Sequence, residues 1–332
     1  MENKTFRAMV VEEVDKGVFT RKITDRTIQD LPEGDVLIRV HYSSLNYKDA
    51  LSASGNRGVT RNYPHTPGID AAGVVEESAG DLFQKGEEVL VTSYDLGMNT
   101  SGGFAQYVRV PAEWVVKLPG KLGMKESMSY GTAGFTAGMS VDKLMGTVQP
   151  SQGEILVTGA TGGVGCMAAG ILAGQGYSVT AVSGKPDAKE LLASLGVKNV
   201  ITRDAFLEGA DRPLLKPRWS GVVDTVGGEI LAAAIKATLP LGVVTCCGNV
   251  ASADLPITVF PFILRGVTLV GIDSQNCPMT WRKQIWEKLA GDWKFAMPED
   301  LVGEISLDDL DDAVKAILKG QVKGRKVVNP NG

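Results

Sequence analysis

The chain reads as a two-part α/β protein, with a β-rich first part, a doubly wound parallel sheet after it, and a tail that returns to the first part. Three observations predict this. An apolar run, Ile155-Leu156-Val157-Thr158, leads into Gly159-Ala160-Thr161-Gly162-Gly163-Val164-Gly165 and then into a small-residue stretch of helical texture. Strand-like and helical runs alternate from about Met124 onward, the texture of a parallel sheet covered on both faces. Before that point the strand-like runs are short and separated by turns, as in a mostly antiparallel module.

Taken in order, strands are expected at 36–40, 71–75, 87–92 and 107–110 in the first module. Six more are expected at 155–158, 178–182, 199–201, 221–226, 243–247 and 267–272. Trp281, Ile285, Trp286 and Leu289 fall at helical spacing, a second helix is expected at 307–318, and a closing strand at 326–328. The expected domains are 1–123 with 276–332 for substrate and 124–275 for a cofactor, with the active site in the cleft that such pairs form.

The glycine turn is the chemical signal. A phosphate needs bare backbone N–H groups at close range, and glycines let the chain leave a strand and start a helix whose positive dipole end faces the anion. Ala160-Thr161-Gly162-Gly163-Val164-Gly165 fits the A-x-G-x-x-G form of the dinucleotide fingerprint, with strand, turn, helix and strand in the required order. An NAD-binding chain places Asp or Glu about twenty residues beyond the glycines, to hold the ribose hydroxyls. Ser183-Gly184-Lys185 stands there instead. A serine hydroxyl and an ammonium accept a 2′-phosphate that a carboxylate repels, and Arg203 at the end of the next strand adds a second cation. The residues favour NADPH. Against this, Lys185 also reads as a solvated lysine and Arg203 as a partner of Asp204.

Composition narrows the rest. The 332 residues imply about two domains, and 44% apolar content is enough for large cores. The net charge of -4 gives no hint of nucleic acid. Residues 155–184 carry no charge and are long enough to cross a bilayer, but eight glycines interrupt them, and strands buried on both faces read this way. No membrane span is expected. The charged N-terminus has no apolar signal segment, which points to the cytoplasm. Cys166, Cys246, Cys247 and Cys277 lack disulfide or zinc spacing, and His41 and His65 read as local hydrogen bonders.

Beyond the glycine loop, Ser44-Leu45-Asn46-Tyr47-Lys48-Asp49-Ala50, Pro67-Gly68-Ile69-Asp70, Gly131-Thr132-Ala133-Gly134-Phe135-Thr136-Ala137, Pro261-Phe262-Ile263-Leu264-Arg265-Gly266 and Gly271-Ile272-Asp273-Ser274 follow one another in order. Together these segments resemble the medium-chain dehydrogenase/reductase superfamily, in its zinc-independent YhdH/YhfP type of quinone oxidoreductase or acrylyl-CoA reductase. The resemblance implies a GroES-like β-rich domain beside a Rossmann domain, and a homodimer. It also implies no metal. Alcohol-dehydrogenase relatives carry Gly-His-Glu where this chain has Gly68-Ile69-Asp70, and a cysteine ligand near Asn46.

The implied chemistry is hydride delivery from NADPH to the activated C=C of a small α,β-unsaturated acyl-CoA such as acrylyl-CoA, or to a quinone. A crystallin-like NADPH-binding protein without activity is the non-enzyme alternative. Tyr47 and Asn46 are the expected pocket wall, with Tyr47 a cofactor contact over the nicotinamide and either Tyr47 or a water giving the proton, since a phenol of pKa about 10 is a poor acid unaided. Lys48 and Asp49 read as a local ion pair. By matching position the resemblance puts Thr161, Gly162, Gly163 and Val164 at the pyrophosphate and Ser183, Gly184, Lys185 and Arg203 at the 2′-phosphate. Asn249, Ile263 and Ser274 fall at the nicotinamide end. Thr132 either bonds the carboxamide or caps a helix. Arg282, Lys283 and Arg325 either meet CoA phosphates or do not.

Overall fold

The chain begins with a long hairpin, β1 (Thr5–Asp15) and β2 (Val18–Thr27), in the computed structural model, which describes residues 4–185 and 188–332. Residues 1–3 of the expected signal-free N-terminus lie outside the described residues. Gly17 turns the hairpin at φ 75°, a left-handed angle that suits glycine. Sequence periodicity does not reveal this hairpin. Most of β2 is exposed or half-buried on both faces, so no clean alternation marks it.

The expected antiparallel module follows. β3 (Val36–Leu45) pairs with β4 (Asp70–Ser78) and with β6 (Tyr107–Val110), β4 pairs with β5 (Glu88–Thr92), and β5 with β7 (Val116–Lys117). Val36, Ile38, Val40, Val75, Val89, Val91 and Val108 fill one face, as β-branched residues do on a half-buried pleat. The six-residue helix α1 (Tyr47–Ser52) leaves the end of β3, and α2 (Met124–Met145) is broken at Gly131 (φ 52°, ψ -158°).

A six-stranded parallel sheet comes next. Its strands are β8 (Glu154–Thr158), β9 (Ser178–Ser183), β10 (Asn199–Thr202), β11 (Trp219–Asp224), β12 (Thr238–Cys246) and β13 (Thr268–Gly271), in the spatial order β10-β9-β8-β11-β12-β13. Between them run α3 (Gly163–Gly174), α4 (Ala188–Ser194), α5 (Arg203–Leu207), α6 (Gly228–Lys236) and α7 (Phe260–Arg265). The order reverses beside β8, the switch point at which doubly wound sheets bind nucleotides. After α8 (Met279–Ala290) come β14 (Val302–Ser306), α9 (Leu310–Leu318) and β15 (Arg325–Asn329). β15 pairs antiparallel with β3, and β14 runs parallel to β15.

The chain divides into two units. One holds the described residues through Thr132 with Gln275–Gln284 and Val302–Gly332; the other holds Ala133–Ser274 and Ile285–Leu301. The tail beyond 276 is thus split between them. Within the second unit Trp286 stacks on Phe135 with centroids 6.0 Å apart, and a Cβ on Gly170 would lie 2.6 Å from the Phe295 ring. Among the described residues no helix is long and apolar enough to cross a membrane.

Candidate functional site

In the second unit the glycine turn joins β8 to α3. Gly159 has φ 58°, and a Cβ on Gly165 would come within 2.4 Å of the Gly159 carbonyl oxygen, so the tight return needs both glycines. Gly162 is the residue before α3, with the Cys166 N–H donating to its carbonyl at 2.9 Å. The first amides of α3, on Gly163 and Val164, have no carbonyl one turn earlier in the helix to bond. Gly162 is exposed and Gly163 and Val164 are half-buried, so these donors are accessible to an anion. The buried Thr161 hydroxyl lies 3.5 Å from that of Ser183, which ties it to the neighbouring strand end.

Ser183 ends β9 and Thr202, its register partner, ends β10, so Arg203 starts α5 beside it. The Lys185 N–H donates to Ser183 Oγ at 3.1 Å. A Cβ on Gly184 would sit 3.3 Å from the Arg203 guanidinium, so the cation overlies the glycine. The Arg203 side chain is exposed and forms no ion pair with Asp204 or with any other of the described residues. Bare amides, a close-packed glycine turn and an unpaired guanidinium near a serine hydroxyl together fit a phosphorylated dinucleotide.

Of the remaining nicotinamide candidates, two lie past strand ends and one on a helix. Exposed Asn249 follows β12 and half-buried Ser274 follows β13, past the C-terminal ends of two paired parallel strands. Ile263 lies on α7 with 67% exposure. Asp224, which the sequence motifs do not single out, ends β11 fully buried and accepts the Thr158 hydroxyl at 2.6 Å and the Gly227 N–H at 2.9 Å. Burial raises its pKa.

In the first unit, Asn46 and Thr132 belong to a buried polar network centred on Asp70, and Tyr47 follows Asn46 at the start of α1. The Asp70 carboxylate accepts from Ser44 Oγ (2.5 Å), Asn46 Nδ2 (2.8 Å), Thr132 N (2.9 Å) and Thr132 Oγ1 (2.6 Å). Thr132 follows the break at Gly131, so Asp70 satisfies the first amide of the second half of α2. The Thr132 hydroxyl also lies 2.9 Å from that of Ser93, whose φ of 64° is strained for a serine. Asn46 is 8% exposed and committed to the network, whereas Tyr47 is 43% exposed and its hydroxyl has no partner among the described residues. Of the two, Tyr47 presents a free polar group.

One expectation fails here, and two open readings close. Asp49 does not pair with Lys48: it is fully buried, and accepts from Asn46 N and Ile69 N, both at 2.7 Å. Desolvation and then Asp70 push its pKa up to about 7. Lys48 donates to Gln275 Oε1 at 2.9 Å instead. Arg325 is 3% exposed inside the Asp70 network, and Arg282 is buried, donating to Thr92 O and Oγ1 at 2.8 and 3.0 Å and lying over the Tyr94 ring, so neither is a surface phosphate ligand. His65 hydrogen-bonds the Gly97 backbone, as expected of a local bonder, while the buried Nε2 atoms of His41 and His65 have no partner among the described residues and burial lowers both pKa values. Among the described residues no three His, Cys, Asp or Glu side chains cluster to hold a metal. All four cysteines are free thiols.

The alcohol dehydrogenase GroES-like domain profile matches residues 32–120, and the zinc-binding dehydrogenase profile matches 163–291. The acrylyl-CoA reductase AcuI of Ruegeria pomeroyi is 42% identical over 98% of this chain and 99% of its own. YhfP of Bacillus subtilis, which carries the provisional name of a quinone oxidoreductase, is 44% identical over 90% of this chain and 92% of its own. Escherichia coli YhdH with bound NADPH superposes with a TM-score of 0.93 at 42% identity, covering 98% of this chain and all of that one. B. subtilis YhfP with bound NAD gives 0.95 at 41%, covering 98% and 99%.

Proposed function

We infer that, because the chain belongs to the medium-chain dehydrogenase/reductase superfamily in the branch that holds AcuI and YhfP, it is an NADPH-dependent oxidoreductase that reduces the activated C=C of a small α,β-unsaturated acyl-CoA. The observation that carries this reading is the near full-length identity with an acrylyl-CoA reductase. Bound NADPH supplies the hydride. The relative with NAD bound leaves the coenzyme choice to local chemistry, and here no acid ends β9 while the unpaired Arg203 overlies Gly184.

Each residue then has a physical task. The first amides of α3 at Gly163 and Val164 hold the pyrophosphate, with Thr161 and Gly162 shaping the approach. Ser183, Gly184, Lys185 and Arg203 receive the 2′-phosphate. Asn249, Ile263 and Ser274 line the nicotinamide end. Negative charge that develops on the thioester oxygen needs a donor, and the α-carbon needs a proton. Tyr47 is the candidate for one of these tasks because its hydroxyl is exposed and unclaimed. Thr132, by contrast, already donates to Asp70, which favours a structural cap over a carboxamide donor.

Quinone reduction is the second reading, on the name YhfP carries. Oxidation of NADPH on addition of acrylyl-CoA, compared with crotonyl-CoA and small quinones, tests both. Turnover of acrylyl-CoA above the quinones is expected; quinone turnover alone would replace the first reading, and no turnover would leave the crystallin-like alternative. A homodimer is part of the proposal, supported by the edge position of β13 and the exposed Val259, Phe260, Ile263 and Leu264 beside it in sequence. A cytoplasmic location is part of the proposal, in keeping with four cysteines that form no disulfide among the described residues.

A further inference from the structure

The buried guanidinium of Arg325 has no role in the proposed chemistry, yet it is among the most heavily bonded side chains of the first unit. Nε donates to Ser129 O (3.1 Å), Nη1 to Leu45 O (3.2 Å) and to Asn46 Oδ1 (3.1 Å), and Nη2 to Ser44 Oγ (2.8 Å), with Asp70 Oδ2 4.0 Å away. Gly131 makes the room. A Cβ there would lie 2.4 Å from Ser44 Oγ, 2.6 Å from Asp70 and 2.7 Å from Arg325 Nη2.

The consequence falls on α1. Asn46 is the residue before this helix and forms a capping box with Asp49 of its first turn. The Asn46 oxygen also accepts Arg325, Nδ2 donates to Asp70, and the Asn46 N–H donates to Asp49, so all three polar groups that could let the residue turn are fixed. Tyr47 is the next residue and the first of α1. A buried ion pair by itself is weak evidence of a stabilising role, whereas a planar guanidinium that reaches four acceptors in fixed directions orients what it holds, which an ammonium does not.

We propose that Arg325 is a positioning residue: through Asn46 it fixes the first turn of α1, and with it the direction in which Tyr47 presents its phenol. This rests on the reading of Tyr47 as the group that meets the acceptor. Arg325 itself is 3% exposed and bonded inside the network.

The test combines two readouts on the full chain. In protein labelled with 3-fluorotyrosine, the Tyr47 resonance is assigned by its loss in Tyr47→Phe; one sharp line is expected for the wild type, and a shifted or broadened line in Arg325→Lys. In turnover of NADPH with whichever acceptor the wild type reduces, Arg325→Lys is expected to lower kcat by about 10- to 100-fold, the effect of a small misplacement of a reacting group, with the dissociation constant for NADPH within twofold. The same change on a Tyr47→Phe background should have almost no further effect. An unmoved fluorine line, or an equal loss on both backgrounds, overturns the proposal, as does full activity of Tyr47→Phe. If Arg325→Lys does not fold, Asn46→Ala, which removes the bond to Arg325 together with the amide's bond to Asp70 and leaves Arg325 its other three acceptors, must reproduce both results. A wild type that reduces no acceptor would sink the functional reading, and the fluorine spectrum would still decide the positioning role.

Discussion

Around Asp70, four protein donors converge on one buried carboxylate, while among the described residues the first amides of α3 have no protein acceptor and the nearby Arg203 has no ion-pair partner. In both places the chain uses glycine to bring groups close, at Gly131 in one and at Gly159 and Gly165 in the other. The use differs. The first region spends its hydrogen-bonding capacity internally and fixes the direction of one exposed side chain, Tyr47. The second keeps donors unspent, which is what a site that binds a charged ligand through its backbone requires. A saturated region should therefore answer to changes that unfold it, and an unsaturated one to changes that empty it.

The largest effect expected from the first region is a dependence of stability on pH. Asp49 has its pKa pushed up to about 7 from 3.8, by desolvation first and Asp70 second, against the N–H groups of Asn46 and Ile69 that favour its charged form. Arg325 is the cation of the same network. Between about pH 4 and 7 the native state then holds a proton that the unfolded chain has lost, so stability falls as pH rises through this window and levels off above it. Each tenfold difference in proton affinity between the folded and unfolded states is worth about 1.4 kcal/mol, so the fall amounts to a few kcal/mol. Asp49→Asn removes this slope while lowering stability at every pH, because an amide nitrogen faces the Ile69 N–H. Urea unfolding at pH 5 and pH 7 measures it: Asp224, also raised by burial, contributes equally to both proteins and cancels in the difference. Equal slopes for variant and wild type would show that Asp49 is charged throughout, and would weaken the contrast between the two regions.

How far the sequence foretells each region follows the same division. The nucleotide cradle is legible because its requirements are local: Gly159 to Gly165 and Ser183 to Lys185 lie in two short stretches, and the apolar strands around them read directly as a parallel sheet. The Asp70 network is not legible, because its members lie far apart in sequence and their types mislead. Asp49 next to Lys48 reads as an exposed pair, and its burial depends on the approach of Ile69. Arg325 in a charged tail leaves a phosphate contact open, and only the pairing of β15 with β3 carries it to Ser44 and Asn46. The hairpin of β1 and β2 is missed for a related reason: β2 buries neither face fully, and so leaves no alternation to read.

The second region is probed next by Gly165→Ala. The added methyl would lie 2.4 Å from the Gly159 carbonyl oxygen and 2.7 Å from Ala160 Cα, so backbone must move in the turn itself. Overpacking of this kind costs about 1–3 kcal/mol, which in NADPH affinity is roughly a 5- to 150-fold loss by fluorescence titration. Gly162→Ala is the control. Its methyl meets only the Gly159 oxygen, at 3.3 Å, and a small loss is expected. Equal binding by wild type and Gly165→Ala would mean that the turn does not carry the pyrophosphate.

The smallest effect is expected at Arg203, and it is the most selective. The guanidinium is exposed, so its attraction for a phosphate is screened by solvent and salt. Removing it in Arg203→Ala should weaken NADPH binding by about fivefold, on the order of 1 kcal/mol, while binding of NADH, which lacks the 2′-phosphate, stays the same. Because the Debye length shortens from about 30 Å at 0.01 M to about 8 Å at physiological ionic strength, the gap between wild type and variant should narrow as salt is added. A loss shared by both coenzymes would place Arg203 among the residues that shape the strand ends. A loss confined to NADPH and relieved by salt would identify an unspent charge waiting for its ligand, the property that separates this region from the network around Asp70.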